Sequence, residues 1–139
     1  MRGTIEESLE SLAESGVVLT MQRRAILRHL HRHPGHWTAE DIYRALRPRH
    51  ASLARGTVYK TLEVLTRAGE IVELRLRKDV SHYDTNTDEH HHFVCTRCNE
   101  VQDLDITCPI CAAGRVEGHR VDRTVATFFG VCRDCLERD

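Results

Sequence analysis

The sequence predicts an α+β protein built from two domains. In the first half of the chain, hydrophobic residues recur at the spacing of helices, and near residue 70 this period changes to strict alternation. All six cysteines lie between residues 95 and 135. These three observations indicate a helical N-terminal domain that ends in a β-hairpin, followed by a small α/β domain with cysteine chemistry of its own.

Side-chain caps and stop signals predict four helices, near residues 4–15, 20–33, 38–47 and 54–68. At the first of them, Thr4 and Glu7 have the spacing of a capping box. The fourth helix carries Val58, Leu62 and Leu65 on one stripe, which should face the core. The same helix leaves charged and aromatic side chains off this stripe, where water or a partner can reach them.

The alternating segment predicts a β-hairpin. Residues 72–77 form one half-buried strand, Lys78 and Asp79 a turn, and residues 80–84 the returning strand. Three or four helices followed by a two-stranded hairpin is the element order of a winged helix-turn-helix. We therefore assign residues 1–84 to a winged-helix domain that binds DNA.

The second domain is predicted to span residues 85–139. Strands are expected at 92–95 and 101–104, a short helix near 108–117, and a further strand at 121–131. The charge balance differs between the two parts of the chain. Residues 1–60 hold ten Lys/Arg against six Asp/Glu, and residues 61–139 hold ten against fifteen. A basic first part suits a polyanion, and an acidic second part rich in histidine and cysteine suits cations.

No apolar run approaches the roughly 18 residues that a membrane span needs, and the N-terminus lacks the apolar segment of a signal peptide. A cytoplasmic location without membrane contact is therefore predicted. In that compartment cysteines stay reduced, so paired cysteines indicate metal ligands or redox groups.

The six cysteines form three Cys-x-x-Cys pairs: Cys95/Cys98, Cys108/Cys111 and Cys132/Cys135. Two such turns deliver four thiolates to a tetrahedral zinc ion. The first pair can combine with the third, because both follow predicted strands. The first pair with the second is an equally acceptable spacing, so the spacing alone leaves both combinations open.

A second group of ligands has harder donor atoms. Asp84 ends the hairpin, His90-His91-His92 follows within eight residues, and Asp103 lies on a later strand. In an extended segment His90 and His92 point to one face and His91 to the other. Imidazole with carboxylate suits iron, manganese or zinc. His36 stands isolated between two capped helices and is a further candidate.

Taken in order, these motifs resemble the ferric uptake regulator family of bacterial metalloregulators. The resemblance rests on Thr57-Val-Tyr-Lys-Thr-Leu62, the hairpin, His90-His-His92-Phe-Val-Cys95-x-x-Cys98 and the closing Cys132-x-x-Cys135, and it extends from Leu19-Thr20-x-Gln22-Arg23 to Cys135. The details look most like the peroxide-response regulators. These are dimeric repressors that bind DNA when loaded with iron or manganese and are released when peroxide oxidises the site.

The resemblance implies roles for individual residues. It assigns a structural zinc ion to Cys95, Cys98, Cys132 and Cys135, and a regulatory iron or manganese ion to His36, Asp84, His90, His92 and Asp103. Aspartates at 84 and 103 favour the peroxide-responsive or manganese-responsive branches. On the DNA side, Arg55, Tyr59 and Lys60 lie at or near the start of the fourth helix, where base edges are read, and Arg23 and Lys78 are expected on phosphates.

The chain departs from the family pattern at Cys108-Pro-Ile-Cys111. This pair supports a remote alternative, a zinc hydrolase or thiol oxidoreductase with Cys108 and Cys111 as its reactive groups. A nearer alternative is a metal-uptake regulator of the same family that answers to manganese, iron or zinc. The favoured prediction is a homodimeric, metal-dependent repressor of operator DNA, not an enzyme and without a small-molecule substrate.

Overall fold

The computed structural model describes residues 3–77, 79–107, 114–122 and 124–138, except the side chain of Arg77. The chain forms two compact units, Met1–Thr87 and Asp88–Asp139. No helix in this described part of the chain is long and apolar enough to cross a membrane.

The first unit contains four helices: α1 (Ile5–Glu14), α2 (Met21–Arg32), α3 (Ala39–Leu46) and α4 (Arg55–Arg67). Each of the first three begins after a threonine whose side chain accepts from a backbone amide, at Thr4, Thr20 and Thr38. The capping box predicted at Thr4 and Glu7 is present, with Glu7 accepting from the Thr4 amide at 2.6 Å. These local signals explain why the predicted helices begin where they do.

The core of this unit is aliphatic, and all four helices contribute to it. Val58, Leu62 and Leu65, the predicted inner stripe of α4, are at most 3% exposed. Fully burying a side chain of this size contributes roughly 1.5–3 kcal/mol. The other buried hydrophobic members are Leu12, Ile26, Leu27, Leu30, Ala39, Ile42, Leu46, Leu53, Ile71 and Tyr83.

A three-stranded antiparallel sheet completes the first unit. Strands β2 (Val72–Arg77) and β3 (Val80–Asp84) form the predicted hairpin, and β1 (His36–Trp37) pairs with the other edge of β3. The sequence did not predict β1, because two residues are too few to show a period. Helices followed by this hairpin form a winged helix-turn-helix, as predicted.

The second unit is built on a sheet with strand order β5-β4-β8. Strand β4 (His91–Cys95) is antiparallel to β5 (Val101–Leu104) and parallel to β8 (Thr127–Gly130). A small hairpin of β6 (Arg115–Val116) and β7 (His119–Arg120) precedes β8, and the short helix α5 (Arg133–Leu136) follows it. Among the described residues of this unit few large side chains are buried, so its core is small.

Two predicted elements of the second unit differ from the structure. The helix expected near 108–117 is wrong for its last residues, because Gly114, Glu117 and Gly118 have positive φ angles of 62°, 49° and 85°. Glu117 and Gly118 form the turn between β6 and β7, Gly114 directly precedes β6, and positive φ angles are incompatible with a right-handed helix. Residues 108–113 lie outside the described residues. The strand expected at 121–131 is shorter, spanning Thr127–Gly130.

Candidate metal centres and nucleic-acid interface

The first and third cysteine pairs come together at one end of the second unit. Cys95 ends β4, and a tight turn follows in which the Asn99 amide donates to the Cys95 carbonyl at 2.9 Å. Asn99 takes the left-handed conformation, with φ of 65°, which lets the chain reverse within four residues. The other pair flanks the start of α5, where Cys132 is the N-terminal cap residue.

The four sulfur atoms have the spacing of a zinc site. All of them lie within 4.8 Å of one another, and the Sγ atoms of Cys98 and Cys132 are 3.8 Å apart. With Zn–S bonds of about 2.3 Å, two ligands of a tetrahedron are separated by about 3.8 Å. A disulfide would bring the two sulfurs to about 2.05 Å. The arrangement therefore fits a tetrahedral ion held by four thiolates.

Backbone dipoles and the crowding of thiols shift the titration of this cluster. The amides of Cys98 and Cys132 donate to the Cys95 sulfur at 3.4 and 3.3 Å, and with further backbone hydrogen bonding they lower the pKa of Cys95 to about 6. By contrast, the neighbouring thiols raise the pKa of Cys135 to about 12. Four negative charges at this spacing repel one another, and a divalent cation removes the repulsion.

Two residues outside the cysteine pattern support the cluster. Arg97, inside the first Cys-x-x-Cys turn, donates from Nη1 to the carbonyl of Cys135 at 2.8 Å and so ties the two turns together. Phe93 packs against the buried cysteines from β4. Neither residue could be recognised from the cysteine spacing, since neither is a candidate ligand. Cys108 and Cys111 lie outside the described residues.

In the first unit, His36 and Asp84 form a pair of hard ligands. They are direct partners in the β1–β3 register, and Nε2 of His36 lies 3.5 Å from a carboxylate oxygen of Asp84. Asp84 is 1% exposed. Gly35 and Thr85 lock this corner, because the Gly35 amide donates to the Thr85 hydroxyl at 2.8 Å and the Thr85 amide donates to the Gly35 carbonyl at 3.2 Å.

In the second unit, His90, His92 and Asp103 lie close together. The rings of His90 and His92 have centroids 4.3 Å apart, and Nε2 of His90 lies 3.1 Å from a carboxylate oxygen of Asp103. Nδ1 of His90 lies 2.8 Å from the carbonyl of Asp88, and since a carbonyl only accepts, Nδ1 must carry the proton. Nε2, on the side of Asp103, is then the ring nitrogen that can face a cation shared with that carboxylate.

His91 faces another way. Its Nδ1 accepts from the Ala126 amide at 3.1 Å, which uses that lone pair inside the sheet. The alternation predicted for the histidine triplet is therefore seen, with His90 and His92 adjacent and His91 separate.

The exposed face of α4 carries the residues predicted to contact DNA. Arg55, Tyr59 and Lys60 are all exposed, Tyr59 by 56%. Arg23 is half-buried and donates from Nη1 to the Val18 carbonyl at 2.7 Å, so part of its guanidinium is engaged within the unit. Lys78 lies outside the described residues.

One residue beside this face was not predicted from the sequence. Glu40, on α3, accepts two hydrogen bonds from Arg55 at 2.8 and 3.0 Å. Fifteen residues separate the two, and only the packing of α3 against α4 brings them together.

The first unit is a winged helix, the second has four clustered thiols, and each unit contains a histidine close to a carboxylate. These features together define the class of winged-helix metalloregulators. The chain belongs to the ferric uptake regulator family, whose profile matches residues 14–110. Proteins of this family are transcriptional regulators rather than enzymes, and the prediction that this chain is not an enzyme agrees with that. The resemblance inferred from the motifs is confirmed.

Individual relatives agree with this assignment. The chain is 35% identical to the peroxide-responsive repressor PerR of Staphylococcus aureus, over 96% of this chain and 93% of the relative. Among solved structures, PerR from Streptococcus pyogenes is 30% identical with a TM-score of 0.56, over 96% of this chain and 94% of that one. A zinc-bound manganese uptake regulator is 28% identical with a TM-score of 0.71, over 94% and 99%.

Proposed function

We propose that this protein is a dimeric, metal-dependent repressor that binds operator DNA and is released by peroxide. In this proposal, zinc on the four cysteines maintains the second unit, and an iron or manganese ion is the regulatory ligand. The observation that carries it is the division of the hard ligands: His36 and Asp84 belong to the first unit, and His90, His92 and Asp103 belong to the second.

An ion that takes ligands from both units would fix one unit relative to the other. Part of the free energy of metal binding would then fix where the DNA-binding unit of each subunit lies. In a dimer, these two units must be spaced to match half-sites on the DNA helix. This coupling turns metal occupancy into DNA affinity, because the ion binds more tightly to the arrangement that fits DNA.

The proposed DNA surface is the exposed face at the start of α4. Arg55 is the first residue of the helix, and Tyr59 and Lys60 follow within its first two turns. A winged-helix unit presents this part of its recognition helix to the major groove. Arg23 at the start of α2 and Lys78, which lies outside the described residues, are the proposed phosphate contacts.

The dimer partner proposed is a second copy of the chain, and strand β8 is its proposed contact. This strand lies at the edge of its sheet and carries two exposed aromatic residues, Phe128 at 42% and Phe129 at 58%. An exposed apolar edge favours pairing with another chain. Phe129→Asp should therefore shift the protein from dimer to monomer in analytical ultracentrifugation, and an unchanged dimer would place the interface elsewhere.

The choice of peroxide as signal is supported by the ligand types. Three imidazoles and two carboxylates suit a hard, redox-active ion, and sulfur, which would favour zinc, is absent from this set. The S. aureus relative named a peroxide-responsive repressor supports the same choice. The likeness to a manganese uptake regulator supports a second candidate, a metal-uptake regulator without peroxide sensing.

The proposal is tested by measuring DNA binding of the zinc-loaded protein with and without manganese, in the absence of air. We expect tight binding to a selected DNA sequence only with manganese. Binding that is equally tight without manganese would contradict a metal-dependent repressor. The response to peroxide is a separate measurement on the iron-loaded protein.

A further inference from the structure

The guanidinium of Arg55 is held on one edge by Glu40. Its Nε donates to one carboxylate oxygen at 2.8 Å, and its Nη2 donates to the other at 3.0 Å. A guanidinium has five N–H groups, and this side-on pairing uses those on the Nε side. The end of the group, formed by Nη1 and the second hydrogen of Nη2, is left out of the pairing with Glu40.

Two neighbouring residues of α3 fix this arrangement. The Arg55 guanidinium lies 4.2 Å from the centroid of the Tyr43 ring, which covers one face of it. Tyr43 is half-buried and packs against the core of the unit. Arg44 donates from Nε to Oε1 of Glu40 at 3.1 Å, the oxygen that also accepts from Nη2 of Arg55. The hydrogen bond from Arg55 lowers the pKa of Glu40, so the carboxylate is charged at neutral pH.

We infer that Glu40 is a specificity-determining residue that aims Arg55 at a guanine and keeps it from phosphates. This inference rests on the proposed function, because it assumes that the start of α4 enters the major groove. Guanine offers two acceptors, O6 and N7, which match the two donors at the end of a guanidinium. An arginine already paired on its Nε side can make this contact without being released from Glu40.

The same pairing reduces binding to DNA of the wrong sequence. An unpaired arginine is attracted to any phosphate, which adds affinity but no sequence information. Glu40 offsets one of the two positive charges of Arg55 and Arg44, so the attraction of this cluster to the backbone is weaker than that of two unpaired arginines. A phosphate can also accept two hydrogen bonds, but it gains less from an arginine whose charge a carboxylate offsets, whereas the two hydrogen bonds to O6 and N7 of a neutral guanine are kept.

The experiment compares the wild type with Glu40→Gln and Arg55→Lys. Manganese-loaded wild-type protein first selects DNA from a library of random duplexes, and affinities are then measured for the selected duplex and for the unselected library. We expect E40Q to bind the library more tightly and to lower the ratio of the two affinities by about tenfold, the loss of one well-formed base contact. Its binding to the library should also depend more steeply on salt, by about one released counterion.

A charge-matched control is available on the recognition helix itself. Glu63 pairs with Arg67 at 2.6 Å near the far end of α4, so Glu63→Gln removes the same charge from the same unit. The inference requires E63Q to keep the wild-type affinity ratio. If E40Q and E63Q change the ratio equally, the effect is one of overall charge and the inference is wrong.

A second readout separates aiming from a structural role. Selections repeated with E40Q and with R55K should lose preference at the same G·C pair and keep it at the others. Loss spread evenly over all positions would contradict the inference. If the wild type selects no sequence, or R55K selects the wild-type sequence unchanged, the proposal that the start of α4 contacts bases in the major groove is wrong as well. If R55K loses one position and E40Q loses none, only the role of Glu40 is overturned.

Discussion

The sulfur atoms of Cys98 and Cys132 lie 3.8 Å apart although 34 residues separate them in the chain. One belongs to the turn after β4 and the other caps α5, so neither position is fixed by local structure alone. Because few large side chains are buried in the described part of this unit, closing such a loop requires an additional source of free energy. A zinc ion on the four cysteines would supply it, since the free energy of metal binding adds to the free energy of folding in a domain with a small core.

We therefore expect Cys132→Ser to lose zinc and to unfold the second unit. The loss of folding free energy should be large, because structural zinc contributes an apparent binding free energy of roughly 10–16 kcal/mol in small domains. Zinc content and circular dichroism check this. Cys108→Ser and Cys111→Ser are the matched controls and should keep zinc. Loss of zinc in the Cys108 variant, with zinc retained in the Cys132 variant, would show that the ligands are assigned wrongly.

Zinc affinity should depend steeply on pH. The pKa of Cys135 is raised to about 12, and that of Cys98 is also raised, so both thiols carry protons at pH 7–8 in the metal-free protein. Zinc must displace both protons, and its affinity should rise by at least about two orders of magnitude per pH unit in this range. The pKa of Cys95 is about 6, so the dependence should steepen below that pH.

Calorimetry in buffers of different ionisation enthalpy counts the protons released on zinc binding. Release of fewer than two protons at pH 7.5 would mean that at least one of these thiols is already ionised, which would contradict the raised pKa values of Cys135 and Cys98. The affinity itself is measured by competition with a chelator.

Replacing a ligand of the regulatory ion should abolish metal-dependent DNA binding without removing zinc. We expect His36→Ala and Asp103→Ala to lose manganese binding, since each removes a hard donor. His91→Asn is the control, because its amide oxygen can take over the hydrogen bond from the Ala126 amide. Manganese titration followed by DNA-binding assays measures both effects. A His91 variant as defective as the His36 variant would contradict the assigned ligand set.

Ala at Tyr59 should reduce discrimination between selected and random DNA. Tyr59 is 56% exposed on α4, so the change removes a surface contact and leaves the core intact. One base contact corresponds to roughly 1–3 kcal/mol of discrimination. Arg67→Ala, at the far end of the same helix, should alter both affinities little and equally. Equal losses on both DNAs for the Tyr59 variant would exclude it from base reading.

With iron bound, peroxide should add one oxygen atom to the peptide containing His36 or His90, and DNA should be released. The imidazole ligands lie nearest to any oxidant formed at the ion. Manganese in the same site should protect both peptides. Peptide mass spectrometry after brief treatment decides the question.

The two other outcomes of this experiment have different meanings. A disulfide between Cys108 and Cys111, with both histidine peptides unchanged, would indicate a thiol switch. No modification, with DNA binding that still follows metal concentration, would identify a metal-uptake regulator.

Most of the first unit follows from the sequence because its signals are local. Thr4, Thr20 and Thr38 cap helices through bonds within four residues, and the alternation after residue 71 defines the hairpin directly. The candidate metal ligands could also be proposed from the sequence, because cysteine pairs and a histidine triplet have a recognisable spacing. In the second unit the prediction at residues 114–117 was wrong, since a hairpin of two-residue strands is too short to show a period.

The sequence by itself determined the four helices and the hairpin of the first unit, the types of candidate metal ligand and the family. Only the tertiary structure decided which side chains face each other. Strand β1 forms because β3 offers it an edge, and that pairing places His36 opposite Asp84. Likewise α3 packs against α4 and brings Glu40 to Arg55, fifteen residues away. Contacts of this kind depend on packing between elements, and no local pattern of residues encodes them.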